Sequence, residues 1–353
     1  MPRIDEFLVE VLNRKGSDLH FLAGDPPRLR VYGDLQSLRP EPLKPDFVRE
    51  TLQEIMPPKA TARFEEKDGA DFAYQIPNLA RFRVNVMRHL GGMGAVLRVI
   101  PSVALSLDEL NMPEAVRTLC RANNGLILVT GKTGSGKSTT LAAMIDDINT
   151  RVHGHLLTIE DPIEFVHQRK NCLVSQREVG VHAQSFADAV QSALREDPDV
   201  ILVGEMRDLE TISVAVTAAE MGILVMGTLH TNGATATVDR IVNAFPSDKQ
   251  SHVRTMLSTS LRGVISQQLI PRAAQPGRVA ALEILVNTAA VANLIRQGKV
   301  DQLENTMQSG AANGMRTMDM AIQQLLDGRA ISGREAYRKA INKQRFEQHK
   351  NSA

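Results

Sequence analysis

The segment 131–138 reads Gly-Lys-Thr-Gly-Ser-Gly-Lys-Ser and matches the phosphate-binding loop pattern G-x-x-x-x-G-K-[ST] at every fixed position. Its glycines let the backbone turn tightly enough for successive N–H groups to face phosphate oxygens. Lys137 is expected to reach the β- and γ-phosphates, and Ser138 is expected to offer its hydroxyl to Mg²⁺. The residues expected to contact the nucleotide are Gly131, Lys132, Thr133, Gly134, Ser135, Gly136, Lys137, Ser138 and Thr139.

The sequence on both sides of this loop fits a phosphate site. An apolar run of strand length, 126–129, precedes the loop, and residues 138–148 have the pattern of a helix. A glycine-rich strand-to-helix turn with an accidental lysine is the alternative. It is disfavoured because both flanks are of the required type. The loop therefore predicts that the chain binds a nucleoside triphosphate.

Two groups of acidic residues follow predicted strands. Glu160, Asp161 and Glu164 come directly after one strand, where a carboxylate near a bound γ-phosphate can orient and deprotonate water. A solvated acidic turn that caps a helix is the alternative reading of this group. Glu205 follows the apolar run 200–203 in the manner of a Walker B element, although the generic element ends in Asp and this one ends in Gly-Glu.

A histidine ends another predicted strand. Residues 227–232 read Gly-Thr-Leu-His-Thr-Asn, which places His230 where it can sense a γ-phosphate. A lone histidine in a loop is more often structural, so both roles stay open at this point.

The composition is typical of a globular protein. Of the 353 residues, 43% are hydrophobic and 23% are charged, and no apolar run reaches the roughly 20 residues of a membrane span. The N-terminus carries acidic residues early and has no apolar signal core, so a cytoplasmic location is expected. Cys120 and Cys172 form no C-x-x-C pair, which favours buried thiols over a zinc site. The formal net charge of +1 argues against nucleic acid as a partner.

The chain is expected to form two domains. Residues 1–100 combine helices at 4–13 and 46–56 with strands at 19–22, 28–32, 72–75, 80–89 and 95–100, which predicts an α+β domain. A linker is expected over 101–110.

Residues 111–353 alternate strands and helices, which predicts an α/β domain with a mainly parallel sheet. Its strands are expected at 126–130, 155–159, 200–203, 223–228 and 279–286. Every polar cluster described above then falls at the carboxyl end of a strand, where such sheets bind phosphates.

Together, these blocks resemble the secretion ATPases of type II secretion and type IV pili. Four motifs of that family have counterparts here, in the same order: the loop is similar to the Walker A motif, 158–165 to the Asp box, 194–199 with 204–208 to the Walker B motif, and 228–232 to the His box. The segments 82–85, 97–101 and 314–319 resemble the retraction branch, the PilT-like ATPases of type IV pili. The resemblance covers nearly the whole chain and implies a RecA-like ATPase domain preceded by a smaller PAS-like domain.

The resemblance also implies roles for individual residues. Glu164 matches the catalytic carboxylate of the Asp box, and Glu205 matches the residue that supports Mg²⁺, with Glu160 or Asp161 able to share the work. Family members use arginines of the N-terminal domain against the nucleotide. Arg83 and Arg98 match those positions best, with Arg81 and Arg88 nearby, and a solvated strand arginine is the alternative for each.

The function implied by the resemblance is that of a homo-hexameric ATPase that uses MgATP to drive pilus retraction and twitching motility. Its expected partners are an inner-membrane platform protein of the pilus and a paralogous pilus ATPase. Its expected location is the cytoplasm, peripherally at the pilus machinery of the inner membrane.

Three alternatives stay open: an assembly or type II secretion ATPase, an accessory retraction paralogue with a regulatory role, and a RecA-like nucleic-acid motor. The accessory reading arises because the family pattern Ala-Ile-Arg-Asn-Leu-Ile-Arg-Glu is replaced at 290–297 by Ala-Val-Ala-Asn-Leu-Ile-Arg-Gln.

Overall fold

The structure is a computed structural model that describes residues 2–31, 33–77, 79–100 and 104–350. The chain divides into two units: Met1–Val103 with Glu164–Val166, and Ala104–Ile163 with His167–Ala353. The first residues of the expected linker, 101–103, lie outside the described residues. The domain boundaries that the sequence suggests therefore stay a prediction.

The first unit is an antiparallel sheet with helices on one face. The helices are α1 (Ile4–Asn13), α2 (Pro45–Gln53) and α3 (Pro58–Lys67), and the strands are β1 (Asp18–Leu22), β2 (Arg28–Val31), β3 (Asp34–Ser37), β4 (Gly69–Ile76), β5 (Ala80–His89) and β6 (Gly92–Ile100). The strands have the order β3-β2-β1-β6-β5-β4 in the sheet.

The period-two alternation of β5 explains why the two faces of this sheet differ. Phe82, Val84 and Val86 are buried in a core shared with the helices, whereas Arg83 and Asn85 are exposed on the other face. The sequence analysis did not predict α3 or β3, and β3 is exposed along its whole length. Pro58 begins α3, and it is tolerated there because a first-turn residue needs no N–H for an intrahelical bond.

The second unit contains a seven-stranded sheet. Its strands are β7 (Gly125–Thr130), β8 (His155–Glu160), β9 (Leu173–Glu178), β10 (Val200–Val203), β11 (Leu224–Leu229), β12 (Leu261–Pro271) and β13 (Arg278–Val286). Their order in the sheet is β13-β12-β7-β11-β10-β8-β9, and every pair of neighbours is parallel except β12 and β13. The helices are α4 (Glu114–Cys120), α5 (Lys137–Arg151), α6 (Phe186–Ala193), α7 (Leu209–Glu220), α8 (Ala234–Asn243), α9 (Gln250–Ser260), α10 (Ala289–Gln297), α11 (Leu303–Ser309), α12 (Met318–Asp327) and α13 (Gly333–Lys339).

The central strands are buried on both faces, because hydrophobic clusters lie above and below the sheet. All six residues of β7 are buried, as expected for a strand covered on both sides. The predicted α/β fold with a mainly parallel sheet is thus confirmed. The loops after β7, β8, β10 and β11 carry the four motifs, so the motifs start from the same edge of the sheet.

Two strands of this sheet were not expected. β9 is an edge strand whose polar residues hide its pattern, and Ser266, Gln267 and Gln268 interrupt the apolar residues of β12. Two residues define the ends of α10. Thr288 caps the helix by accepting a hydrogen bond from the N–H of Val291, and Gly298 ends it with φ 71°.

Candidate functional site

The phosphate-binding loop follows β7 with three glycines in left-handed backbone conformations. Gly131, Gly134 and Gly136 have φ angles of 140°, 78° and 90°. A Cβ on Gly136 would lie 2.7 Å from Nε2 of Gln267, whereas a Cβ on Gly134 would meet no heavy atom within 4 Å. The loop therefore packs against β12 at Gly136, whereas the space around Gly134 is open to a ligand.

Lys137, the first residue of α5, directs its charge into this loop. Its Nζ donates hydrogen bonds to the carbonyl oxygens of Gly131 (2.9 Å) and Lys132 (3.4 Å), and the residue is buried. Oγ of Ser135 is also buried, and it has no hydrogen-bond partner among the residues described. A buried ammonium and a spare hydroxyl beside the start of a helix fit the oxygen atoms of a phosphate group.

A cavity of about 550 Å³ opens beside the loop, within the second unit. Lys132, Thr133, Gly134 and Ser135 line one part of it. Other lining residues come from β12, β13 and the C-terminal helices, among them Leu269, Arg278, Met318, Arg338 and Lys339. The cavity combines cations, which suit phosphate oxygens, with apolar surface, which suits the base of a nucleotide.

Glu205 and His230 are brought together at the ends of β10 and β11. Oε1 of Glu205 pairs with Nε2 of His230 at 2.7 Å and also with Nε of Arg207. Burial alone would raise the pKa of the Glu205 carboxyl, but Arg207 and His230 together bring it below its usual value. Glu205 is therefore an anion at neutral pH. Sequence reasoning gave no role to Arg207, although it stands two residues after Glu205 in the Walker B block.

The end of β8 at Glu160 and the residues that follow β10 approach closely. The N–H of Gly204 donates to the carbonyl oxygen of Ile159 at 2.7 Å, and a Cβ on Gly204 would lie 3.2 Å from Cα of Glu160. Oε1 of Glu160 accepts hydrogen bonds from Oγ1 of Thr158 (2.7 Å) and Nε2 of Gln176 (3.2 Å). Glu160 is thus held in place by side chains of the sheet.

Glu164 is placed differently from the other predicted carboxylates. It is exposed and belongs to the short segment Glu164–Val166, which is grouped with the first unit of the chain. The second unit by itself therefore brings together the loop, Glu160, Glu205 and His230, but not Glu164. The catalytic role of Glu164 remains a prediction.

The predicted arginines lie on the polar face of the first sheet. Arg83 of β5 and Arg98 of β6 are directly paired, and Asp18 of β1 is the next partner of Arg98. Nε of Arg98 donates to Oδ1 of Asp18 at 2.8 Å, with 67% of the arginine side chain and 7% of the aspartate side chain exposed. The sequence did not single out Asp18 for this role, because 80 residues separate it from Arg98.

The residues expected to support a metal ion fit a magnesium site that is completed by phosphate. Ser138 stands in the first turn of α5, and Glu205 provides an ionised carboxylate. Among the residues that the structure describes, no group of three or more His, Cys, Asp and Glu side chains could hold a metal ion. Proteins usually hold Mg²⁺ through one or two side chains together with phosphates and water.

A phosphate-binding loop at the carboxyl edge of a parallel sheet, with ordered carboxylates on the neighbouring strands, defines a P-loop nucleoside triphosphatase. The Type II/IV secretion system protein family matches residues 1–351. The chain belongs to this family and is an ATPase.

Three relatives are informative. The type IV pilus retraction ATPase PilT of Pseudomonas aeruginosa is 50% identical over 337 residues, which cover 96% of this chain and 98% of that one. The type IV pilus ATPase PilU of the same organism is 40% identical over 321 residues, covering 91% of this chain and 84% of that one. A crystal structure of the pilus retraction motor PilT with bound ADP superimposes with a TM-score of 0.91 at 43% identity, covering 97% and 98% of the two chains.

Proposed function

We propose that this chain is the hexameric ATPase motor of type IV pilus retraction and that it uses MgATP hydrolysis to remove pilin subunits. The observation that carries the proposal is the 50% identity to a retraction ATPase over 96% of the chain. An intact phosphate-binding loop and the Glu205–His230 pair support it, because a subunit without catalytic function would not need them.

The loop binds the triphosphate through its backbone N–H groups and the Lys137 ammonium. In the structure this ammonium bonds to loop carbonyl oxygens, and a phosphate would provide oxygen atoms of higher charge in their place. Mg²⁺, when bound by Ser138 and supported by Glu205, would neutralise charge on the β- and γ-phosphates. His230 pairs with Glu205 and so links the end of β11 to the carboxylate that would support the metal.

Water activation and charge stabilisation are assigned to residues outside this group. Glu164 is the proposed base that orients and deprotonates the attacking water, and Glu160 or Asp161 can assist it. Arg83 and Arg98 are proposed to stabilise charge on the transferred phosphoryl group of a neighbouring subunit. Their exposed positions on the polar sheet face support this role, since a buried arginine could not reach another subunit.

The proposed partners are other copies of this chain in a hexamer, the inner-membrane platform protein of the pilus and a paralogous pilus ATPase. No nucleic acid is expected among them. None of the helices in the described ranges is long and apolar enough to cross a membrane. We place the ring in the cytoplasm, peripherally at the pilus machinery.

An accessory retraction subunit is the second candidate, and α10 is the observation that favours it. The changes at Ala292 and Gln297 lie on this helix, and Gln297 is exposed, with its Nε2 bonded to Oδ1 of Asn293 at 3.3 Å. These residues are not part of the buried contact of α10, which Val291 and Ile295 make. The change therefore alters a surface rather than the fold, and it affects partner contact before it affects hydrolysis.

Complementation tests the proposal. A piliated bacterium that lacks its own retraction ATPase would receive the wild-type chain, Lys137→Ala, or Ala292→Arg combined with Gln297→Glu. We expect the wild-type chain to restore pilus retraction and surface motility, and Lys137→Ala to restore neither. If the wild-type chain hydrolyses ATP without restoring retraction, and the variant with the double change in α10 restores it, the chain is an accessory motor.

A further inference from the structure

Gln267 is a buried polar residue beside the phosphate-binding loop, and the mechanism above gives it no role. It lies on β12 one position after Ser266, which pairs with Thr130 at the end of β7. Only 3% of Gln267 is exposed. β12 therefore continues past the end of β7 and brings a carboxamide to the loop.

Both ends of this carboxamide are hydrogen-bonded. Nε2 donates to the carbonyl oxygen of Ser135 at 2.7 Å, and Oε1 accepts from Oγ1 of Thr140 at 2.7 Å. Because a carbonyl oxygen can only accept, the NH₂ group must face Ser135. The carboxamide supplies both the donor and the acceptor that these two partners need, whereas a carboxylate in its place would supply acceptors alone at neutral pH.

The bond to Ser135 determines how the next N–H of the loop is oriented. The peptide between Ser135 and Gly136 is planar, and in a trans peptide the C=O and the N–H point in opposite directions. Since the carbonyl of Ser135 points at Gln267, the N–H of Gly136 points away from β12. An N–H group oriented in this way is a donor that a phosphate oxygen can use.

We propose that Gln267 is a positioning residue of the nucleotide site: it holds the Ser135–Gly136 peptide in the orientation that binds phosphate. The bond to Thr140 fixes the carboxamide against α5, so the start of the helix and the loop are held by one side chain. Nε2 of Gln267 lies so close to Gly136 that a side chain at residue 136 would collide with it. The contact between the carboxamide and the loop therefore requires glycine at this position. This inference rests on the nucleotide site within the proposed function.

The first test replaces Gln267 with Met, which keeps the volume and removes both hydrogen bonds. Because the loop contacts the phosphates in substrate and transition state alike, we expect the Kd for ADP and the KM for ATP to rise about tenfold, with kcat changed less than about twofold. Asn287→Leu is the matched control. Asn287 is another side-chain amide held by two hydrogen bonds: its Nδ2 donates to the carbonyl oxygens of Ser258 (3.0 Å) and Leu261 (2.8 Å), near the start of β12.

Both variants should lose thermal stability, but only Gln267→Met should lose ADP affinity. Wild-type ADP affinity in Gln267→Met, or an equal loss of affinity in Asn287→Leu, would overturn the proposal. ADP binding by calorimetry does not depend on pili, so failure of the retraction assay with normal ADP binding would contradict the proposed function and leave this assignment intact.

Gln267→Glu provides a second test with a conservative side chain. The ionised carboxylate can accept from Thr140 but repels the carbonyl oxygen of Ser135, whereas the protonated acid can donate to that oxygen. Because burial favours the protonated form, the ADP affinity of this variant relative to wild type should recover as the pH falls from about 8 to about 6. A constant ratio across that range would mean that the bond to Ser135 does not control binding.

Discussion

The carboxylate of Asp18 holds the guanidinium of Arg98 through a 2.8 Å hydrogen bond, although one side chain is buried and the other is exposed. Oγ of Ser17 donates to the second oxygen of the same carboxylate at 2.7 Å. Burial would raise the pKa of Asp18, but the hydrogen bonds from Arg98 and Ser17 lower it below its usual value. The Nε atom of Arg98 is therefore held by Asp18, while the exposed end of the guanidinium remains accessible to a partner.

This pair predicts that Asp18 positions Arg98 for catalysis. Asp18→Asn should lower kcat about tenfold and change KM less than about twofold, because the arginine is proposed to act on charge that develops in the transition state. In an Arg98→Ala background the same change should have little further effect. Asp71→Asn is the control, since Asp71 is an exposed acid on the same sheet that accepts from Nδ2 of Asn85 at 3.1 Å. Equal losses in both backgrounds would contradict a shared role.

Lys137→Ala should abolish ATP turnover and leave the fold intact. Backbone N–H groups cannot replace the charge of the ammonium at the β- and γ-phosphates. Steady-state ATPase assays measure the loss, and circular dichroism with a thermal melt checks the fold. Turnover at the wild-type rate would contradict the assignment of the loop.

The two carboxylates should respond differently to removal of their charge. Glu164→Gln should keep MgATP affinity near the wild-type value and lose roughly a hundredfold or more in rate, the scale of general-base catalysis. Glu205→Gln should instead shift the Mg²⁺ concentration needed for half-maximal activity, because it loses the charge that supports the metal. Titrations of activity against Mg²⁺ distinguish the two, and the reverse pattern would exchange their roles.

Stability should fall in mild acid because of His167. Burial lowers the pKa of this imidazole to about 4, whereas the unfolded chain keeps the usual value of 6.5. Below pH 6.5 the unfolded state binds the proton first, so stability is lost as the pH falls from 6.5 towards 4. Between pH 7.5 and 5 the cost is about 1–2 kcal/mol. Urea unfolding at both pH values should show a smaller loss for His167→Gln, and equal losses would argue against this cause.

The loop and most strands of the second sheet were predictable from the sequence because their information is local. The loop is specified by adjacent features of the sequence: an apolar run, a glycine pattern and a following helix. Because the carboxyl ends of parallel strands lie at one edge of the sheet, the motifs that follow these strands lie at that edge. Gln267 was not predictable, because its partners Ser135 and Thr140 lie 132 and 127 residues away. α3 was missed for the opposite reason: Pro58 is a strong local signal that fits both the end and the start of a helix.

Mixing two inactive variants tests most directly the claim that the active site is shared between subunits of a ring. Arg98→Ala and Glu164→Gln should each be nearly inactive alone, and Arg83→Ala should be at least impaired. In mixed hexamers about a quarter of the interfaces combine an intact arginine with an intact carboxylate, by combinatorics under the proposed arrangement. The account predicts that the mixture regains ATPase activity. A mixture no more active than its parts, in hexamers whose mixed composition is verified by mass, would contradict it.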